Sequence, residues 1–156
     1  MDEGYFLNES IYSVVPHRGK MCLLNRILSH QQEFTECEVR IGADSIFVGE
    51  QGVPSWVGIE YMAQAVAAHD GLSASGRDGE SKIGFLISIR KAVFFADFFY
   101  PGQVLRIQVQ CLWGDQEFFS FQGKIQDAQT NSVLAEAQLN FFRPKNLKEF
   151  QEGKNV

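Results

Sequence analysis

The sequence predicts an α+β fold in which a curved antiparallel sheet wraps around one buried helix. Two observations predict it. Residues 55–68 are apolar on nearly every side, with Glu60 and Gln64 as the interior exceptions, and a helix that is apolar all round belongs in a core. After this stretch, three runs of alternating apolar and polar residues follow one another, which is the pattern of an antiparallel sheet with one solvated face.

The central helix is predicted over residues 54–70. Gly49, Gly52 and Pro54 predict an irregular approach to it, and Ser55 is suited to cap its first turn. Gly71 is suited to end it. Residues 71–82, rich in Gly and Ser, then predict a loop.

The alternating runs predict most of the sheet. They cover residues 105–111, 119–125 and 135–141, within a segment of main strands at 83–143, and turn residues lie at 114–115 and 130–131. A longer apolar strand is expected at 83–95, and two further strands at 21–28 and 34–41. Residues 1–15 are interpreted as an N-terminal helix or arm. Six strands around one helix describe a hotdog fold, expected as a single domain over residues 1–156, whose sheet edges favour pairing in a dimer.

Composition excludes several classes of function. The net charge of -5 argues against nucleic acid as a partner. The three cysteines are widely spaced and match neither a zinc site nor a redox pair. The N-terminus lacks a signal-peptide pattern, and no apolar run approaches membrane-spanning length. We therefore expect a cytoplasmic protein that uses no metal, no cofactor and no membrane.

Three short motifs occur in order: Pro16-His17-Arg18, the helix segment Glu60-Tyr61-Met62-Ala63-Gln64, and Pro101-Gly102. Together they resemble the bacterial 3-hydroxyacyl-[acyl-carrier-protein] dehydratases, over residues 14–144. The sequence Trp56-Val57-Gly58-Ile59-Glu60-Tyr61-Met62-Ala63-Gln64 is most similar to the divergent dehydratases of aryl polyene-type biosynthesis. The resemblance implies loss of water from a 3-hydroxyacyl thioester, on an acyl carrier protein, to give a trans-2-enoyl thioester.

Such a reaction needs an acid for the leaving hydroxyl, a base for the proton on C2 and a donor to the thioester oxygen. Glu60 is predicted to be the acid, because an apolar helix favours its protonated form. Gln64 lies one turn on and is expected to share the substrate cavity with it. The amides of Val57 and Gly58 near the helix N-terminus are the predicted oxygen donors.

The base is less clearly marked. The family carries a histidine shortly before the helix, but the corresponding residues 47–52 contain none. His69 is expected to face away from Glu60, at the helix C-terminus, and His30 to face solvent. His17 remains as the predicted base, reaching a partner's Glu60 across a dimer interface; the alternative is a loop histidine bonded to a backbone carbonyl.

Several alternatives stay open. Phe95 and Phe98, with Phe119, are candidates for lining the acyl tunnel and setting chain length. An acyl thioesterase on the same fold would use Glu60 on a water or on the thioester itself. Because the family histidine is missing, a non-catalytic or half-catalytic subunit that pairs with a second hotdog protein is also considered. Homodimer and heterodimer, and carrier protein and coenzyme A, remain undecided.

Overall fold

The computed structural model describes Ile11 and residues 19–74 and 84–153 of the chain. The predicted N-terminal helix or arm, apart from Ile11, lies outside the described residues. So do His17 and the part of the predicted loop after residue 74. All statements of structure below concern the described residues.

The strands of the described chain are β1 Arg26–His30, β2 Phe34–Arg40, β3 Val53–Pro54, β4 Phe85–Phe94, β5 Phe98–Phe99, β6 Val104–Gly114, β7 Phe118–Asp127 and β8 Val133–Phe142. Six of them form one antiparallel sheet in the order β1-β2-β6-β7-β8-β4. The strands β6, β7 and β8 contain the three alternating runs, in which most apolar residues are buried and most polar ones are partly exposed; Ser120 is a buried exception. A second, two-stranded ribbon pairs β3 with β5.

One long helix, α1 (Gly58–Ala74), packs on the sheet and contacts β1, β2, β6, β7 and β8. Met62 on α1 is completely buried. It lies against Gly123 in β7, where an added Cβ would come within 2.5 Å of the Met62 sulfur. The missing side chain at Gly123 therefore lets the helix approach the sheet closely. A short helix, α2 (Leu147–Gln151), follows the last strand.

The bounds of α1 correct the prediction of residues 54–70. Pro54 is extended and belongs to β3, and Ser55 begins a 3-10 turn (Ser55–Val57) without a side-chain cap. The helix then continues through Gly71, which is buried and is not among the residues with positive φ. Gly71 therefore does not end the helix, because it keeps a helical backbone there.

The strand predicted at 83–95 forms as β4, and its environment is distinctive. It is an edge strand of the sheet, and all of its residues except Phe85 are exposed. The strand predicted at 21–28 begins later, as β1, because residues Gly19–Met21 form a 3-10 turn. The ribbon of β3 and β5 had no clear signal in the sequence, since each strand has only two residues.

Candidate active site

Glu60 lies in the first turn of α1 and is half-buried. It belongs to a partly exposed stripe of the helix that includes Ile59, Ala63 and Ala67, spaced by four residues. This corrects the expectation that the helix is buried on every side. The sheet covers most of α1, and the stripe with Glu60 is the side that the described chain leaves accessible.

Gln64 is completely buried and connects three parts of the chain. Its Nε2 donates to the Met21 carbonyl over 2.8 Å and to Glu60 Oε1 over 3.0 Å. Its Oε1 accepts a hydrogen bond of 2.9 Å from the Leu23 amide. Both amide hydrogens of Gln64 thus have acceptors within the chain.

This arrangement positions the Glu60 carboxyl. Gln64 is held from the other side by the backbone of Met21 and Leu23, so its Nε2 presents a fixed donor to Glu60. It also ties the segment that follows Pro16-His17-Arg18 to the helix turn that carries the acid. Gln64 therefore lies beside Glu60, and the prediction that the two share a substrate cavity stays a prediction.

A cavity of about 380 Å³ lies beside this cluster. Leu23 and Tyr61 line it. The Leu23 amide is bonded to Gln64, and Tyr61 follows Glu60 in the sequence. Tyr61 is buried, and burial raises the pKa of its hydroxyl to about 12. Glu60 is not among the lining residues. The others are Lys20, Cys22, Asn25, Val39, Arg40, Ile41, Gly42, Asp44, Ser45, Ile46 and Phe47.

The N-terminal end of α1 is tightly packed. A Cβ at Gly58 would lie 2.6 Å from Ile125 Cδ1 and 3.2 Å from the Phe99 ring, so only glycine fits without a shift. Val57 is buried as well. Backbone N–H groups at the end of the 3-10 turn donate to the Ser55 and Trp56 carbonyls. The predicted amide donors at Val57 and Gly58 therefore lie at the right end of the helix, in a turn that already uses N–H groups.

The predicted tunnel residues lie at different places on the described chain, and their role in an acyl tunnel stays a prediction. Phe95 is 61% exposed just after β4. Phe98 is half-buried and lines a separate surface pocket of about 420 Å³ with Pro54 and residues 46–52. Phe119 lines a third pocket, at the opposite end of the helix, with His30 and Leu72.

The segment that replaces the family's histidine, residues 47–52, forms a tight turn. Gly49 and Gly52 exchange backbone hydrogen bonds of 2.9 and 3.2 Å. Gly52 has a φ of 111°, and a Cβ there would meet the Phe99 carbonyl oxygen at 2.5 Å. The turn therefore requires glycine at that position, and it leaves Glu50 and Gln51 exposed at its tip.

The two other histidines form a cluster that the sequence did not reveal. His69 is buried as part of the C-terminal half of α1, and its Nδ1 lies 2.8 Å from Thr35 Oγ1. His30 Nδ1 lies 2.7 Å from the same hydroxyl, and its ring is half-buried. The expectation that His30 faces solvent is wrong, because Thr35 on the neighbouring strand draws its ring inward. Burial, followed by the charge of His30, lowers the pKa of His69 to about 4.

The described residues contain no group of three or more His, Cys, Asp or Glu side chains placed to hold a metal ion. Within the same part of the chain, no helix combines the length and the apolarity needed to cross a bilayer.

Comparisons with solved structures extend over nearly the whole chain. A subunit of the dehydratase heterocomplex ApeI:P from Xenorhabdus doucetiae is 29% identical, with a TM-score of 0.85, over 94% of this chain and 97% of that one. The PaaI protein of E. coli is 14% identical (TM-score 0.59; 75% and 81% covered), and zebrafish thioesterase superfamily member 2 is 9% identical (TM-score 0.63; 86% and 93% covered). The last two show the hotdog fold alone. No curated protein sequence matches the chain significantly.

The family comparison agrees with the motifs. The family described as ApeP-like, ApeP dehydratase, matches residues 9–152. The resemblance to hotdog dehydratases of the aryl polyene type is thereby confirmed. With Glu60 and Gln64 bonded together on the central helix, and with this match over almost its full length, the chain belongs to the ApeP-like dehydratase family.

Proposed function

We propose that this chain dehydrates 3-hydroxyacyl thioesters held on an acyl carrier protein, giving trans-2-enoyl thioesters in aryl polyene-type biosynthesis. The observation that carries the proposal is the hydrogen bond from Gln64 to Glu60 in a chain of this family. Glu60 is half-buried, so a substrate can reach it while the helix limits its contact with water. Such a carboxyl is suited to protonate the leaving 3-hydroxyl.

His17 is the proposed base for the C2 proton. It lies four residues before Met21, whose carbonyl is bonded to Gln64, and Gln64 is bonded to Glu60. Four residues of an extended chain span at most about 14 Å. His17 of the same chain is therefore a candidate, as well as His17 of a partner.

The proton balance of this scheme is simple. His17 takes a proton from C2, the C3–O bond breaks, and Glu60 supplies the proton with which the hydroxyl leaves as water. The charge that gathers on the thioester oxygen needs a donor, for which we propose the Val57 amide just before α1, because the N–H groups that follow it already donate to the Ser55 and Trp56 carbonyls. Gln64 acts on Glu60 by holding its carboxyl, as a positioning residue.

We also propose that the chain works as one subunit of a heteromer with a second hotdog protein. The similar protein from Xenorhabdus doucetiae is part of a heterocomplex, and residues 47–52 of this chain lack the family histidine. The exposed edge strand β4 and the accessible stripe of α1 provide an apolar surface for such a partner. A partner there would complete an acyl tunnel to which Phe95 and Phe98 contribute.

The test measures products. The purified chain, alone and with the hotdog subunit that co-purifies with it, is given a 3-hydroxyacyl chain on acyl carrier protein or on coenzyme A. Mass spectrometry then distinguishes an enoyl thioester, 18 Da lighter than the substrate, from a free acid. We expect the enoyl product on the carrier protein. Release of free acid would favour the thioesterase alternative, which at present has only a shared fold at 9% identity in its favour.

If the two subunits together form the enoyl product and the isolated chain forms none, the result would support the heteromer and exclude a self-sufficient enzyme. If neither preparation forms an enoyl product from either thioester, the proposed reaction is wrong.

A further inference from the structure

The edge strand β4 is unusually apolar for a strand whose outer edge pairs with no other strand of the described chain. All its residues but Phe85 are exposed, and an exposed apolar edge is a template for pairing with another strand. Without a feature that opposes it, such an edge would pair with the same strand of a second copy of the chain. The exposed apolar residues on and next to it are Leu86, Ile87, Ile89, Val93, Phe94 and Phe95.

Two adjacent cations interrupt this strand near its middle. Arg90 and Lys91 are both exposed, and no salt bridge joins either to a carboxylate elsewhere in the described chain. They also lie at a bulge, because the register with β8 shifts between Arg90 and Val93. Lys91 has a φ of 51°, a left-handed conformation that is uncommon outside glycine. The strand thus carries two positive charges at the point where its hydrogen-bonded register with β8 is already irregular.

Self-pairing would bring these cations together. In a two-fold antiparallel pair, directly opposite residues have side chains on the same face of the sheet. Leu86 and Phe94 share a face, because they lie opposite Phe141 and Ala135 of β8. Pairing Leu86 of one copy with Phe94 of the other would place the two Arg90 residues opposite each other, with Cβ atoms about 4.5–5.5 Å apart. This is within the screening length of about 8 Å at physiological salt, so the two Arg90 charges repel each other and the adjacent Lys91 charges add to the repulsion. A register shifted far enough to separate them would leave apolar residues of both strands uncovered.

We propose that Arg90 and Lys91 select the partner of this edge: they oppose pairing with a second copy and favour a strand that carries carboxylates at its centre. The inference rests on the heteromer proposed above and adds the chemistry that the partner must supply. Like charges across an interface act mainly against wrong partners, and opposite charges fix the register of the right one.

The test uses charge reversal. In R90E/K91E the same positions carry carboxylates, so that the variant resembles the proposed partner at its centre. Sedimentation and light scattering of wild type, of the variant and of an equal mixture report the dimer in each. We expect weak self-association of either chain alone and a mixed dimer with a dissociation constant at least about tenfold lower. Higher salt should reduce the difference between the dissociation constants of the mixed dimer and of the self-associated chains.

The matched control is K20E/K148E. It changes the charge by the same amount at exposed positions in the Gly19–Met21 turn and in α2, outside β4, and should leave association with wild type unchanged. A wild-type chain that is a tight dimer at low salt, or a mixture that associates no better than its components, would overturn the proposal. None of these measurements uses a substrate, so their failure is distinct from failure of the proposed dehydration.

A second variant separates charge from backbone. K91G removes one charge but fits the left-handed conformation without strain. If the bulge alone prevents self-pairing, K91G should stay as weakly associated as wild type. If charge prevents it, as proposed, K91G should associate more strongly than wild type and less strongly than the mixture.

Discussion

The two ends of α1 both carry buried polar side chains, and they differ in what those side chains serve. Near the N-terminus, Gln64 bonds the half-buried carboxyl of Glu60 to the backbone of Met21 and Leu23. Near the C-terminus, His69 shares the Thr35 hydroxyl with His30. The first cluster ends in an accessible acid, while the second joins side chains that bond to one another.

The comparison separates the polar cluster that we propose to be catalytic from one that holds the fold together. The Thr35 hydroxyl has one hydrogen, so it can donate to one histidine Nδ1 and must accept from the other. The two rings therefore take opposite tautomers, and the network is satisfied without substrate. Glu60 accepts a hydrogen bond from Gln64 and is half-buried rather than enclosed, as the proposed contact with a substrate requires.

The largest effect is expected for Glu60→Gln. The amide oxygen can still accept from Gln64, so the thermal midpoint should stay close to wild type, but the proton for the leaving hydroxyl is lost. Dehydration in the reconstituted pair should fall by about 10²–10⁴-fold. Single-turnover mass spectrometry checks the rate and calorimetry the fold. A rate within about threefold of wild type would exclude Glu60 as the acid.

Gln64→Ala is expected to reduce both stability and rate. It leaves the Leu23 amide and the Met21 carbonyl without their partner and opens space in the core. We expect a loss of about 2–4 kcal/mol in the free energy of unfolding. Activity per folded molecule should also fall, because Glu60 loses the donor that holds it. Urea unfolding and turnover measured below the transition separate the two effects; unchanged turnover would limit Gln64 to a structural role.

Thr35→Val tests the other end of the helix. The substitution keeps the volume and removes the hydroxyl that joins His30 and His69. The buried Nδ1 of His69 then lacks its partner, at a cost of about 1–3 kcal/mol. Dehydration per folded molecule should be unchanged, since Glu60 lies at the far end of α1. A specific loss of activity at wild-type stability would contradict the distinction between the two ends.

The same cluster should make stability depend on pH. Burial lowers the pKa values of His69, to about 4, and of His30, below the ordinary 6.5. The unfolded chain therefore binds more protons, and this contribution is full above about pH 6.5 and is lost as the pH falls toward 4. Thermal unfolding between pH 6.5 and 5 should show this decline, and His69→Gln should flatten it. Lowered carboxyl pKa values, such as that of Asp127 beside Gln103, act at lower pH.

Much of the fold could be predicted from local pattern. Alternation with a period of two identifies β6, β7 and β8, because one face of each strand is buried. The apolar run identifies the central helix, and the two polar residues inside it mark the candidate site. The end of the helix was missed because Gly71 fits a helix as well as a cap when its neighbours are buried. The local conformational preference of glycine does not indicate whether its neighbours are buried.

The parts that could not be predicted join residues far apart in sequence. Leu23 and Gln64 are separated by 41 positions and Thr35 and His69 by 34, so no spacing rule connects them. The exposure of β4 is of the same kind. Its sequence is apolar like that of an interior strand, and its place at the edge of the sheet follows from the order of the strands.

The amino-acid sequence by itself thus determines the hydrophobic periodicities, the carboxylic acid at position 60 and the order of the motifs, because these depend on side-chain type and local spacing. Folding adds which polar groups meet, which side of α1 remains accessible and which strand is left at the edge. Those features arise from long-range packing, in which a hydrogen bond or an uncovered face depends on elements distant in sequence. Glu60 and Gln64 belong to both levels: their spacing places them on one helix, and the backbone of Met21 and Leu23 fixes how they meet.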